Sequence, residues 1–187
     1  MRLFVAVVPP LEVVEHLAEF VEPRRDFPDE DLRWAGEENW HITLAFLGEV
    51  PEYKTDELAE RLERAARRQK PIDLQLIGSG AFPSVADARV LYTGVRDEAA
   101  ALPHLARTTR AAANRAGVPV AGRKFTPHVT LARVRRPMDV ARWVRIFDGY
   151  QGLPWTAEGI ELISSRLGQG PSRGSAYDTV GEWGLLG

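Results

Sequence analysis

Two short segments of this chain carry the residue types best suited to acid–base chemistry, His41-Ile42-Thr43-Leu44 and His128-Val129-Thr130-Leu131. Strand side chains alternate between faces. In each segment His and Thr would therefore share one face, while Ile42, Leu44, Val129 and Leu131 take the core face. Imidazole has an unperturbed pKa of about 6.5, so two imidazoles across one cleft can serve as a base and an acid near neutrality. The hydroxyls of Thr43 and Thr130 would supply hydrogen-bond donors to phosphate oxygens. A single tetrapeptide of this kind is explained by β-propensity alone, but two copies in matching places of the chain are not. His16 and His104 lie in helical stretches without a Thr partner and are expected at the surface.

Several weaker signals surround these segments. By strict alternation Arg133 falls on the face of His128 only if the strand is bulged or ends there, although the side chain has the reach in either case. Trp34, Trp40, Phe46 and Phe125 lie near the two segments and could stack on a nucleobase, with core packing the commoner fate of an aromatic ring. Arg123, Lys124, Arg133, Arg135 and Arg136 form the densest basic patch, of the sort that meets a phosphate backbone. The run from Gly168 to Gly174 lacks the G-K-[ST] ending of a phosphate loop and reads as a hairpin turn. Neither histidine segment offers an H-E-x-x-H helix or a nearby third ligand, so no metal site is expected.

The elements that must position these residues follow from periodicity. An apolar run at Arg2 to Val8, stopped by Pro9-Pro10, predicts a buried strand. Helical spacing covers Leu11 to Val21 and Thr55 to Arg68, the latter with Leu58, Leu62 and Ala65 inward and a Glu60–Arg64 pair outward. Pro23 to Asp31 is expected as an exposed loop. Ile72 to Ile77 and Arg89 to Val95 predict two strands joined through Gly78, Gly80 and Pro83. Asp97 to Ala116 predicts a helix ended by Gly117 and Pro119. A strand from Phe125 to Val134, a helix from Met138 to Phe147, and a final pair at Trp155 to Ser165 and Ser175 to Val180 complete the order. Intermixed strands and helices with many Gly/Pro connections favour an α+β fold with antiparallel sheets. The order helix, H-x-T-L strand, helix, strand, strand occurs over residues 11 to 95 and again over 97 to 183, which predicts a two-lobed, pseudo-twofold arrangement. The leading strand has no obvious second copy.

At 187 residues and 44% hydrophobic the chain can bury one sizeable core, and residues 1 to 187 are read as a single bilobal domain. The formal charge is −2, and all of the 24 basic residues except Lys54, Lys70 and Lys124 are arginine. The absence of cysteine excludes disulfides, thiolate zinc sites and a cysteine nucleophile. The opening apolar run is too short for a signal sequence and no segment approaches the ~20 apolar residues of a membrane span, so a cytoplasmic location without membrane contact is expected.

Over nearly its whole length the chain resembles the two-histidine (2H) phosphoesterases, and most closely the RNA 2′,3′-cyclic phosphodiesterases, also called 2′-5′ RNA ligases. The resemblance rests on RLFVAVVPP, WHITLAFLGEV, FTPHVTLARV and the ending ELISSRLGQGPSRGSAYDTVGEW. It implies a bilobal α+β fold, two antiparallel sheets flanked by helices, a central cleft lined by both motifs, and no metal or nucleotide cofactor. It further implies that His41 is proton donor and His128 proton acceptor, roles the residues themselves leave open. Thr43, Thr130, Arg133 and Phe46 are the candidate substrate-binding residues. The expected substrate is an RNA or nucleotide ending in a 2′,3′-cyclic phosphate, opened to a 2′-phosphomonoester by a monomeric enzyme. Two other readings remain at this point, ATP-independent 2′-5′ joining of RNA ends and a non-catalytic RNA- or nucleotide-binding module of the same fold.

Overall fold

The computed structural model describes residues 1–27, 29–170 and 174–187. In chain order the elements are β1 (Arg2–Val7), α1 (Leu11–Arg25), β2 (Leu32–Trp34), β3 (Ile42–Glu49), α2 (Thr55–Arg67), β4 (Ile72–Pro83), β5 (Ala88–Arg96), α3 (Ala101–Arg115), β6 (His128–Met138), α4 (Ala141–Asp148), β7 (Trp155–Ala157), β8 (Gly159–Arg166) and β9 (Ala176–Gly184). The strands form two sheets, ordered β3-β1-β8-β9 and β2-β6-β5-β4-β7, and every pairing between them is antiparallel. The α+β, two-sheet architecture is the one expected. No helix among the described residues is long and apolar enough to cross a membrane.

The pseudo-twofold relation is closer than the sequence indicated, because β1 does have a counterpart. It is β5. Each is the strand beside its motif strand, and the registers match residue for residue: Phe4, Val5 and Ala6 of β1 face Phe46, Ala45 and Thr43, while Val90, Leu91 and Tyr92 of β5 face Arg133, Ala132 and Thr130. The next position is exchanged between the halves, since β8 from late in the chain pairs with β1, and β4 from the first half pairs with β5. Helices cross over in the same way. α3 follows β5 but packs on α2 and β3, while α1 follows β1 and meets α4 through Phe20 and Phe147, whose ring centroids are 5.6 Å apart. Neither sheet is made from one contiguous piece of chain.

Burial explains the helices that cover the sheets. Leu58, Leu62 and Ala66 are fully buried at i, i+4 and i+8 of α2; Ala66 takes the inward place expected for Ala65, which is only partly buried. The expected Glu60–Arg64 pair is present at 3.4 Å, flanked by Glu57–Arg61 and Glu63–Arg67. Facing α2, α3 buries Leu102, Leu105, Ala106, Ala112 and Ala113. A leucine at such a site typically costs about 2–5 kcal/mol when cut to alanine.

Other sequence expectations change in the structure. α1 runs through Pro23 to Arg25 instead of ending at Val21. Pro23 is exposed, and the carbonyl its missing N–H would have met belongs to Glu19, which faces water; the Arg24 guanidinium also donates to the Phe20 carbonyl at 2.9 Å. Pro28, in the segment expected as a loop, lies outside the described residues. β2, from Leu32 to Trp34, falls in a stretch too short to show periodicity and pairs with β6. The glycines expected to lie between two strands instead sit inside β4, where Gly78 adopts φ +66° at a register shift and the strand resumes at Gly80. β6 starts at His128, three residues after the expected Phe125, and runs on to Met138, so α4 begins at Ala141 instead of Met138. Residues 155–157 leave the final strand pair and join β4 in the other sheet, while β8 and β9 pair as expected. Of the glycine-rich turn between them, residues 171–173 lie outside the described residues.

α3 starts at Ala101, later than the expected Asp97, because Asp97 caps it. Its carboxylate accepts hydrogen bonds from the backbone N–H groups of Ala101 at 3.1 Å and Leu102 at 2.7 Å. Replacing Asp97 by Ala should lower the unfolding free energy by about 0.5–2 kcal/mol in denaturant titration; an unchanged midpoint would show that the cap contributes nothing.

Candidate active site

Both motif strands carry an extra residue immediately after the threonine. In β3, Thr43 pairs with Ala6 and Ala45 with Val5, which leaves Leu44 without an opposite residue. In β6, Thr130 pairs with Tyr92 and Ala132 with Leu91, which leaves Leu131 in the same position. A bulge of this kind resets the alternation. Leu44 and Ala45, like Leu131 and Ala132, are consecutive buried residues, and the next residue out, Phe46 or Arg133, is exposed on the face of the histidine and threonine. Arg133 therefore meets the condition set for it by alternation, and Phe46 is its counterpart in the other lobe.

His41 directly precedes β3, and His128 opens β6. Each imidazole is backed by aromatic rings from neighbouring strands. Phe4 lies 4.7 Å from His41, centroid to centroid, and Tyr177 meets it edge-on at 5.5 Å. Phe82 and Tyr92 hold His128 at 4.8 and 5.3 Å. A Cβ at Gly80 would overlap the Tyr92 hydroxyl, so the glycine leaves room for that ring. Phe4, Ala6 and Ile163, with Tyr177 against them, form a small apolar cluster apart from the main core, which is the cleft face of the first sheet. Phe4, Phe82, Tyr92 and Tyr177 could not be singled out from sequence, because what marks them is adjacency across strands.

The ring nitrogens are set by backbone carbonyls two residues upstream. His128 Nδ1 lies 2.7 Å from the Thr126 carbonyl oxygen. A carbonyl only accepts, so Nδ1 carries the proton and Nε2 of the neutral ring is left as an acceptor. The Asn39 carbonyl acts on His41 in the corresponding way. The His41 pKa is lowered to about 4, by burial above all, with the Asn39 carbonyl pulling upward and the charges of His128 and Arg133 adding to the downward shift. His128 is lowered by the same sequence of causes, burial first, opposed by the Thr126 carbonyl and reinforced by Arg133. One guanidinium thus acts on both imidazoles, and the charge of His128 acts on His41. Thr43 and Thr130 are half-buried on the same faces, and among the described residues neither hydroxyl has a hydrogen-bond partner.

The remaining candidates separate. Phe46 is 66% exposed and free to meet a ligand. Trp40 is buried, Trp34 packs edge-on against Trp143 at 5.3 Å, and Phe125 packs on the main core. Of the basic patch, only Arg133 acts on the histidines. His104 is exposed as expected, but His16 is half-buried, with Nδ1 3.0 Å from the Tyr150 hydroxyl, because α1 continues over Tyr150. Among the described residues no group of three or more His, Cys, Asp or Glu is placed to hold a metal ion.

A fold of two exchanged antiparallel sheets with a histidine and a threonine projecting from each into one cleft defines a two-histidine phosphoesterase. A family model described as the 2′-5′ RNA ligase superfamily matches residues 9–169, and the chain belongs to that family. It is 36% identical over 186 residues to an RNA 2′,3′-cyclic phosphodiesterase of Escherichia coli, covering 98% of this chain and 96% of the relative. A Thermus thermophilus protein of the same description is 32% identical over 193 residues, covering 100% and 91%. The crystal structure of E. coli LigT complexed with 3′-AMP superposes with a TM-score of 0.79 at 28% identity, covering 100% of this chain and 98% of that one. A longer relative, from Geobacillus stearothermophilus, is matched over only 32% of its length.

Because Arg133 depresses both imidazoles, Arg133→Gln should raise the titration midpoints of His41 and His128 together. Histidine ring resonances followed by NMR against pH would show it, and a change at one ring only would mean that the guanidinium does not span the cleft.

Proposed function

We propose that this chain is an RNA 2′,3′-cyclic phosphodiesterase, with residues 1–187 acting as one unit and opening the cyclic phosphate to a 2′-phosphomonoester. The observation that carries the reading is the pair of matched imidazoles, each anchored toward a carbonyl through one ring side and both under the charge of Arg133. Water attacks phosphorus in line with the 3′ oxygen. His128 Nε2 takes the proton of that water, the P–O3′ bond breaks, and His41 gives its proton to the departing 3′ oxygen. The assignment of donor and acceptor follows the family resemblance. Thr43 and Thr130 donate hydrogen bonds to the equatorial oxygens, and Arg133 balances the charge that builds there. Phe46, opposite Arg133 in the pseudo-symmetry, offers a ring for a neighbouring base of an RNA strand to stack on.

Acid–base transfer contributes about 10²–10⁴-fold, and positioning must supply much of the remainder. Both imidazoles, both threonines and Arg133 come from one chain, so a single copy carries the complete set. A 5′-hydroxyl in place of water would use the same groups and leave a 2′-5′ linkage, which is the reaction the family description names.

In the free protein His41, at about 4, is neutral at pH 6, yet as proton donor it must be charged. The substrate supplies what is missing, because its phosphate anion favours the imidazolium. Binding of a nucleoside 2′,3′-cyclic phosphate, a diester that does not titrate near pH 6, to the His128→Ala variant should therefore take up protons, and affinity should weaken as pH rises through the His41 pKa of the complex. Calorimetry in buffers of differing ionisation enthalpy reads this directly, and a binding enthalpy independent of buffer would contradict it.

His41→Ala and His128→Ala should each lower kcat by at least about 10² with the fold intact, and the double variant should be little worse than either single one. Thr43→Ala and Thr130→Ala should cost less, each removing one phosphate hydrogen bond of roughly 1.5–3 kcal/mol. The assay uses a cyclic-phosphate-ended oligonucleotide in EDTA. Full activity in either histidine variant would overturn the mechanism, as would activity abolished by EDTA and restored by zinc.

A further inference from the structure

Beside His41 a cavity runs along the cleft face of the first sheet, and its lining includes Trp40, Tyr177, Ile163, Thr179 and the carboxylates of Glu38 and Glu161. Glu161 stands opposite Ala6 of β1, so it projects from the same face as the histidine and threonine of the first motif. Its orientation is fixed by Thr179, whose hydroxyl donates to Glu161 Oε1 at 2.9 Å. No cationic side chain among the described residues pairs with it.

A carboxylate next to a phosphate site opposes binding of the substrate by charge repulsion unless it accepts hydrogen bonds from another part of the same molecule. At an RNA end carrying a 2′,3′-cyclic phosphate the 2′, 3′ and 5′ oxygens of the last ribose are all esterified, which leaves the base as the source of donors. Guanine presents two adjacent donors, N1–H and the N2 amino group, as a fork that one carboxylate can accept. Adenine and cytosine place a ring-nitrogen acceptor beside their amino group, and uracil flanks its single N–H with two carbonyls. Trp40 lines the same cavity, and its buried indole N–H has no hydrogen-bond partner among the described residues. Guanine O6 is an acceptor of the type that donor lacks. We propose that Glu161 reads guanine as the base bearing the cyclic phosphate, which makes guanosine-ended RNA the favoured substrate of the site.

This inference rests on the phosphodiesterase reading and is separable from it by experiment. The values of kcat/KM for the four nucleoside 2′,3′-cyclic phosphates are compared in the wild-type protein and in Glu161→Gln, which keeps the shape but replaces half of the acceptor fork by a donor. Dissociation constants for 2′-GMP and 2′-UMP are measured alongside. The expected result is a preference for guanosine over uridine of about tenfold or more in both measurements, falling toward unity in Glu161→Gln. Equal kcat/KM for all four bases, or a guanosine preference that survives the substitution, overturns the proposal while leaving the phosphodiesterase reading intact. Absence of turnover on every cyclic nucleotide overturns that reading instead, and the ratio of the two dissociation constants then decides whether Glu161 selects the base.

Discussion

A bulge places two residues of one strand against one residue of its partner, and the cleft depends on this happening once in each motif. Without the extra residue at Leu44 and Leu131, alternation would put Ala45 and Ala132 on the cleft face and turn Phe46 and Arg133 into the core. With it, one face of β3 carries Thr43 and Phe46 behind His41, and the corresponding face of β6 carries His128, Thr130 and Arg133. Both buried positions after the threonine are filled by a leucine and an alanine in the two lobes alike, a large and a small side chain packed in succession where the strand bends. The charge of the site thus depends on a local backbone irregularity that the core beneath it must accommodate.

The electrostatics of the cleft are set by burial, two backbone carbonyls and one guanidinium. Burial alone would keep both imidazoles neutral, and Arg133 adds to that pressure on each. The carbonyls of Asn39 and Thr126 oppose it, and they also orient the rings. Imidazoles packed against Phe4, Tyr177, Phe82 and Tyr92 have little freedom to turn away. What remains adjustable is the proton, and a phosphate between the rings, bringing negative charge into a space of low polarity, acts on it more strongly than it would in water. The hydroxyls of Thr43 and Thr130, without a hydrogen-bond partner among the described residues, and the guanidinium of Arg133 lie on the same faces as the two rings.

The two H-x-T-L segments were legible because the strand period of two is a local property, and their repetition removed the ambiguity a single copy would have had. The α+β class and the strand–helix order were legible for the same reason. What surrounds the histidines was not. Tyr92 stands by His128 because β5 is the neighbour of β6, and Tyr177 stands by His41 because β9 lies beyond β8; neither adjacency is encoded in a local pattern. The side taken by Arg133 depended on a bulge visible only once its partner strand is known. Pro23 and Gly78 misled in opposite ways, as a proline tolerated where its missing donor faced water, and as a glycine that marks a bulge inside one strand where two strands had been expected.

The exchange of strands explains how two lobes can hold a geometry that must be accurate at their boundary. β4, from the first half, is a central strand of the sheet that carries His128, and β8, from the second half, is paired with β1 in the sheet that carries His41. The crossing helices do the same, α1 toward α4 and α3 toward α2. Moving one histidine strand away from the other would drag pieces of both halves with it and disturb buried residues on each side, at the cost expected for disrupting a close-packed interior. Two lobes joined by a single linker would be free to hinge about it, whereas lobes that interchange strands and helices share their cores. In this chain the separation of His41 from His128 is therefore held by the fold itself.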